Sequence, residues 1–302
     1  MQNTEAKIKK LKKVIICTSA ALLVASTTFF VSLGLTNNNP STEDFKTKQT
    51  QSSSDKHTQT PKYRSLEELR KVKLPTHTEY FDGVPYQVVD EEDVLKLSRE
   101  FKYAIQDYFE SRGAIYWTNN DTKQFWPKDI EYIVTAMAFN ESTYRTDVSN
   151  DKGCVGLLGI RKADMLKSIN GWANDTTIWG KDIPYVNCNP DEVDVYNPVT
   201  AIEYTYYYMG YHLANVLKKD TTFNYNGKEH CLWDYTKFSS SKQTKLLVAS
   251  HFWGYGNLTT SALGINEQGY TLDTLLDSQY VTRVINKYQD LIELERKQQL
   301  NK

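Results

Sequence analysis

An uninterrupted, uncharged run at residues 14–35 limits what this chain can fold into more than any other feature. It is long enough to cross a bilayer, which takes about 20 apolar residues. The thirteen residues before it are basic, carrying Lys7, Lys9, Lys10, Lys12 and Lys13. Basic residues before a span stay in the cytoplasm, so residues 1–13 are expected as a cytoplasmic tail and everything after Leu35 outside the cell membrane. A cleaved signal peptide is the alternative, with Val24-Ala25-Ser26 as its small-residue site. The apolar run continues well past that site, which favours an uncleaved single-pass anchor. Cys17 follows no lipobox-like pattern, and the basic flank argues against a buried core helix.

Residues 36–79 read as a flexible polar linker. Ser, Thr, Gln, Asn and Lys dominate as far as Pro75, with almost no apolar periodicity. Such a segment buries too little surface to offset its conformational entropy. What remains, residues 80–302, suffices for one sizeable domain. Helical spacing dominates it, over residues 91–110, 128–144, 198–217, 242–253 and 272–294. Short strands or loops are expected at 84–89 and across 170–196, where Gly, Asn, Asp and Pro cluster. The spacing predicts a mainly α fold with a small irregular or β insertion.

The net charge of −1, with no Lys/Arg block in the presumptive domain, gives nucleic acid no electrostatic footprint. Beyond Cys17 the cysteines are Cys154, Cys188 and Cys231, in no spacing that suggests zinc. One disulfide with a free thiol is open to them in an oxidising compartment, with no connectivity implied. The five histidines are scattered, so no metal or cofactor is expected, and His212 reads as structural or surface.

Residues 130–160 are the most informative stretch. Apolar residues recur at Ile130, Ile133, Val134, Met137 and Ala138, the stripe of an amphipathic helix. One further turn lands on Glu141. A carboxylate is thus aimed along the buried face at the helix end, where burial raises its pKa toward what a general acid needs near neutrality. Ser142 follows, then a polar loop, then Gly153-Cys154-Val155-Gly156-Leu157-Leu158-Gly159-Ile160. Glycines at that spacing permit tight turns and close backbone approach to a ligand.

Glu141-Ser142 followed by Gly153-Cys154-Val155-Gly156-Leu157-Leu158 resembles the catalytic domain of the soluble lytic transglycosylases, relatives of goose-type lysozyme. Three later segments follow the family's order. Asn197-Pro198 with Ile202, Tyr208 and Met209 resembles its Asn-Pro helix. Residues 249–257 resemble its Ala-Tyr-Asn-Ala-Gly-x-Gly segment. Tyr280-Val281 with Val284 resembles its closing Tyr-Val helix. The likeness runs from about Asp129 to Tyr288 and lies in the ordered set, since each motif alone is weak. It departs at Gly159, where the family has Gln, and at His251-Phe252, where it has Tyr-Asn. Asn150 stands in place of Ser, and Ala201 in place of Asn.

The resemblance implies a lysozyme-like α-helical domain that cleaves the β-1,4 bond between N-acetylmuramic acid and N-acetylglucosamine. Glu141 is implied as the sole acid/base, and Ser142, Asn150, Leu158, Tyr208, His251 and Tyr280 as substrate-binding residues. No metal or cofactor is implied. The implied partner is the peptidoglycan glycan strand, and an anchored position suits local wall opening for a secretion or conjugation apparatus. A hydrolytic lysozyme is the rival reading. It needs a second carboxylate about 6.5–9.5 Å across the bond for inversion, and Asp147 and Asp151 are the nominal candidates. Aspartates in a polar turn more often bond their own backbone. A non-catalytic peptidoglycan-binding or scaffold module is the third reading, supported by the altered groove positions.

Overall fold

A computed structural model describes residues 63–111, 126–127, 129–174, 186–216, 222–225, 228–231 and 238–300. The basic tail, the 14–35 run and residues 36–62 of the linker lie outside the described residues. Among the described residues no helix is long and apolar enough to cross a membrane.

The elements in chain order are α1 (Leu66–Leu69), β1 (Thr76–Phe81), β2 (Val84–Val89), α2 (Glu91–Glu110), α3 (Ile130–Ser142), α4 (Lys162–Ala173), α5 (Pro198–Val216), β3 (Thr222–Tyr225), β4 (Lys228–Cys231), α6 (Ser240–Ala262), α7 (Leu272–Leu276) and α8 (Gln279–Leu300). Among the described residues the architecture is mainly helical with two antiparallel two-stranded sheets, β1–β2 and β3–β4.

Helix α3 is the centre. α2 and α8 pack against it, while α5 holds α6, and α2 also meets α5. Every residue of α3 from Ile130 to Ala138 is buried. This corrects the expected amphipathic stripe: a helix covered on all sides needs apolar residues all round. Fully burying side chains such as Ile133, Val134 and Met137 is worth about 1.5–3 kcal/mol each. The polar groups that enter this core are bonded. Tyr206 donates its hydroxyl proton to the Ser98 carbonyl at 2.8 Å, the Ser98 hydroxyl donates to the Glu131 carbonyl, and Lys102 Nζ lies 2.8 Å from the Glu131 carboxylate.

Helix α2 begins at Asp90 with Glu91, Glu92 and Asp93 in its first turn, where negative charge suits the helix dipole. Val94, Leu97, Phe101, Ile105 and Phe109 form its buried face at helical spacing. Asn197 starts α5 by accepting the Val199 N–H at 3.0 Å, with Pro198 at the first helical position.

Three differences from the sequence reading matter. First, the folded unit reaches into the expected linker. α1 is closed by a capping box between Ser65 and Glu68, and it buries Leu66 and Leu69. One turn holds too few residues to show a period, and β1 exposes all its residues but Phe81. Second, residues 162–173 form α4, in a stretch expected to turn irregular at Asn170. Met165, Leu166, Ile169, Trp172 and Ala173 are its buried set. Gly171 and the neighbouring asparagines masked that period. Residues 186–196, by contrast, are irregular as expected. Third, the expected 272–294 helix is divided into α7 and α8, and the helix expected to stop at Trp253 runs to Ala262 across a break at Gly254.

A close approach fixes the seat of α4. A Cβ on Gly210 of α5 would lie 2.5 Å from the Trp172 indole, itself edge-on to Phe109 with 5.2 Å between ring centroids. Gly210→Ala is therefore expected to cost about 1–3 kcal/mol by overpacking, read as a lower midpoint in urea unfolding.

Candidate active site

The site is built where α3 ends. Thr143 and Tyr144 both take left-handed backbone angles (φ 55° and 63°), which stop the helix just after Glu141-Ser142 and turn the chain away. Two consecutive non-glycine residues there are costly, so the surroundings must hold them. Arg145 supplies part of that hold. Its Nε donates to the Ser142 carbonyl at 2.6 Å, and its guanidinium lies over Phe81 and Tyr86 at 4.8 and 4.7 Å. The next residues run along β2, with Tyr144 and Thr146 bonded to the Val89 and Gln87 backbone.

The Gly-rich segment then folds back. Val155 and Ile160 exchange backbone hydrogen bonds at 3.1 and 2.9 Å, closing a turn whose last glycine is Gly159 (φ 57°). Gly159 rests against the acid: a Cβ there would sit 2.4 Å from Glu141 Oε2. The residue that stands in place of the family's Gln is thus the wall behind the carboxylate. Gly159→Ala combines left-handed strain with that clash. The expected outcome is a stability loss of about 1–3 kcal/mol and a displaced, poorly active Glu141, read by thermal unfolding alongside turnover.

Glu141 itself is half-buried, and burial pushes its carboxyl up to about 7. The Tyr280 hydroxyl opposes this by favouring the charged form, and no salt bridge to Glu141 occurs among the described residues. That hydroxyl is fully buried and faces the carboxylate without reaching the geometry of a formed hydrogen bond. Its own pKa is driven well above the usual tyrosine value, by burial first and then by the adjacent negative charge. Near neutrality the pair therefore offers a carboxyl at the midpoint of its titration beside a phenol that stays protonated.

Around this pair the expected binding residues divide. Tyr280, at the start of α8, stands beside Glu141, and its ring is stacked on Phe252 with centroids 4.1 Å apart and planes 15° from parallel. Tyr208 of α5 packs edge-on to His251 at 5.6 Å, and His251 adjoins Phe252 in α6. Burial lowers the His251 pKa to about 4, so the ring is neutral near neutral pH.

Three other expected binding residues sit as follows. Ser142 is 1 % exposed, and its hydroxyl donates to the carbonyls of Ala138 (3.0 Å) and Leu157 (2.8 Å). It ties the helix end to the Gly-rich turn and has no free face for a sugar. Leu158 is wholly buried in the core. Asn150 is exposed, but its side-chain oxygen accepts from the Lys152 and Cys154 backbone N–H groups, both at 3.0 Å, shaping the loop.

The nominal second carboxylates both lie in the polar loop after α3. Asp147 accepts the Gln87 N–H at 3.2 Å and fastens the loop to β2, and Asp151 is exposed in a turn. Cys154 and Cys188 are both free thiols. His212 is fully buried, wedged against Tyr208 at 4.2 Å and kept neutral by burial. Among the described residues no cluster of three His, Cys, Asp or Glu could hold a metal ion. Sequence reasoning missed the exposed ring of Phe252 and the contact of Gly159 with Glu141. Both lie at departures from the family motif, which is where a signal was available.

No family model matches the sequence, and no curated protein matches it. Among solved structures, the chain is similar to the 70 kDa soluble lytic transglycosylase of Escherichia coli, with 17% identity and a TM-score of 0.33. The match covers 67% of this chain and 26% of that one, so the chain spans about a quarter of that protein's length.

Proposed function

We propose that this chain is a peptidoglycan lytic transglycosylase that cleaves the N-acetylmuramic acid–β-1,4–N-acetylglucosamine bond, with Glu141 as its acid and base. The observation that carries the reading is the state of Glu141. Its carboxyl is held to about 7 by burial, at the end of a buried core helix and with no salt bridge to it among the described residues. Protonated Glu141 gives its proton to the leaving glycosidic oxygen. The resulting carboxylate takes the proton of the muramic acid 6-hydroxyl as that oxygen attacks C1, closing the 1,6-anhydro ring. An internal nucleophile has a very high effective concentration, so neither a positioned water nor a second carboxylate is required. The engagement of Asp147 with the β2 backbone supports this reading over a hydrolase.

The apolar run 14–35 supports a single-pass anchor that leaves the domain on the extracytoplasmic face, within reach of the wall. Work on a secretion or conjugation apparatus is the partner reading that such a position suits.

The test is mass spectrometry of muropeptides released from purified cell walls. Anhydro ends are expected. Reducing ends would replace the reading with a hydrolase, and no release from folded protein would leave a binding module. A pH profile adds a second check. The first step needs the protonated acid, so kcat/KM should be full in mild acid and fall as pH rises through about 7.

A further inference from the structure

Phe252 sits in α6 with 48% of its surface exposed, in the position where the resembled motif carries an amide side chain. Two ring contacts fix it. One face stacks on Tyr280, whose hydroxyl faces the Glu141 carboxylate. Its edge meets Trp253 at 5.0 Å, and the Trp253 indole N–H is anchored to Ser278 Oγ at 3.3 Å. Two residues on, Gly254 breaks the helix with angles (φ 75°, ψ 150°) that side chains rarely adopt, so the ring stands at a corner. The result is a rigid aromatic plane one ring away from the acid.

We propose that Phe252 is the stacking platform for a pyranose of the glycan strand, seated at the subsite next to Glu141. The proposal rests on the glycan-cleaving reading above and deepens it. A β-linked acetamido sugar carries axial C–H bonds that form an apolar face, and that face lies flat on an aromatic plane. A ring already held by Tyr280 and Trp253 loses little side-chain freedom when the sugar arrives. An amide at this position recognises a sugar by hydrogen bonds, whereas Phe252 selects the shape and apolarity of the ring face.

The test uses the full-length chain with Phe252→Ala, Phe252→Tyr and Phe252→Asn on uncrosslinked glycan strands, with turnover and binding measured separately. Phe252→Ala and Phe252→Asn are expected to raise KM about tenfold or more, the scale of one lost base-like aromatic stack. Changes in kcat should stay within a few-fold, and Phe252→Tyr should restore KM. Binding is read by calorimetry in the Glu141→Gln background, where Phe252→Ala should weaken affinity by the same factor. Unchanged KM and unchanged affinity in Phe252→Ala would overturn the platform even if the parent cleaves. A shifted descending pH limb with unchanged KM would overturn it too, assigning Phe252 to positioning Tyr280. A parent that binds strands through Phe252 but releases no product would retain the platform and sink the catalytic reading.

Discussion

Arg70→Ala is expected to lower the stability of the folded unit by about 3 kcal/mol, the low end for breaking a buried ion pair. The Arg70 guanidinium grips the Glu203 carboxylate with Nε at 3.0 and 3.1 Å and a terminal nitrogen at 2.6 Å, while the Tyr207 hydroxyl donates to it at 2.7 Å. Glu203 is 3 % exposed in α5, so losing the cation strands a buried charge. About half of the arginine side chain is open to water, which places the cost at that low end. Urea unfolding measures it. Adding Glu203→Gln to Arg70→Ala should recover most of the loss, because the stranded charge is gone. A chain begun at residue 80 lacks Arg70, Leu66, Leu69 and most of β1, and is expected to fail to fold. One begun at Tyr63 keeps all of these and should unfold cooperatively.

Glu141→Gln is expected to lower kcat by about 10²–10⁴-fold, the range for removing a positioned general acid. Glutamine keeps the shape but cannot deliver a proton to the leaving oxygen. The same change should stabilise the protein at alkaline pH. The folded carboxyl titrates at about 7 against an ordinary 4.5, so the folded state holds its proton more tightly than the unfolded one. Stability of the parent therefore falls as pH rises from 4.5 through 7, by about 3 kcal/mol at 1.36 kcal/mol per tenfold change in proton affinity. Glutamine does not titrate, so the variant should gain up to that amount above pH 7 and none of it below pH 4.5. Thermal scans at pH 4 and pH 8 read the difference. An equal effect at both pH values would mean that Glu141 is an ordinary surface carboxylate.

That Glu141 is drawn toward the core was legible because it closes the apolar run from Ile130 to Ala138 and precedes the glycine-spaced turn. The company of the acid was less so. Ser142 and Leu158 are next to functional positions in sequence, yet both turn inward. The left-handed pair Thr143-Tyr144 and the 155–160 turn reverse the chain within a few residues, and side-chain direction after such reversals does not follow a period. Phe252 and Tyr280 come from helices far apart in sequence, and only packing shows that their rings stack. The short α1 was illegible for a different reason: two leucines in one turn look like any polar segment until Glu203, far along the chain, supplies the partner for Arg70.

The distance in sequence between Glu141 and Tyr280 has a kinetic meaning. Helix α8 packs on α3, so the acid is enclosed only when the last long helix docks on the central one. Contacts of such long sequence separation close late, after the loop entropy between them has been overcome. Until that moment Glu141 faces water and is ionised at neutral pH, and a partly folded chain has nothing with which to protonate a leaving group. Recovery of activity during refolding should therefore lag the recovery of helical signal, and catalytic competence serves as a reporter of the final docking step.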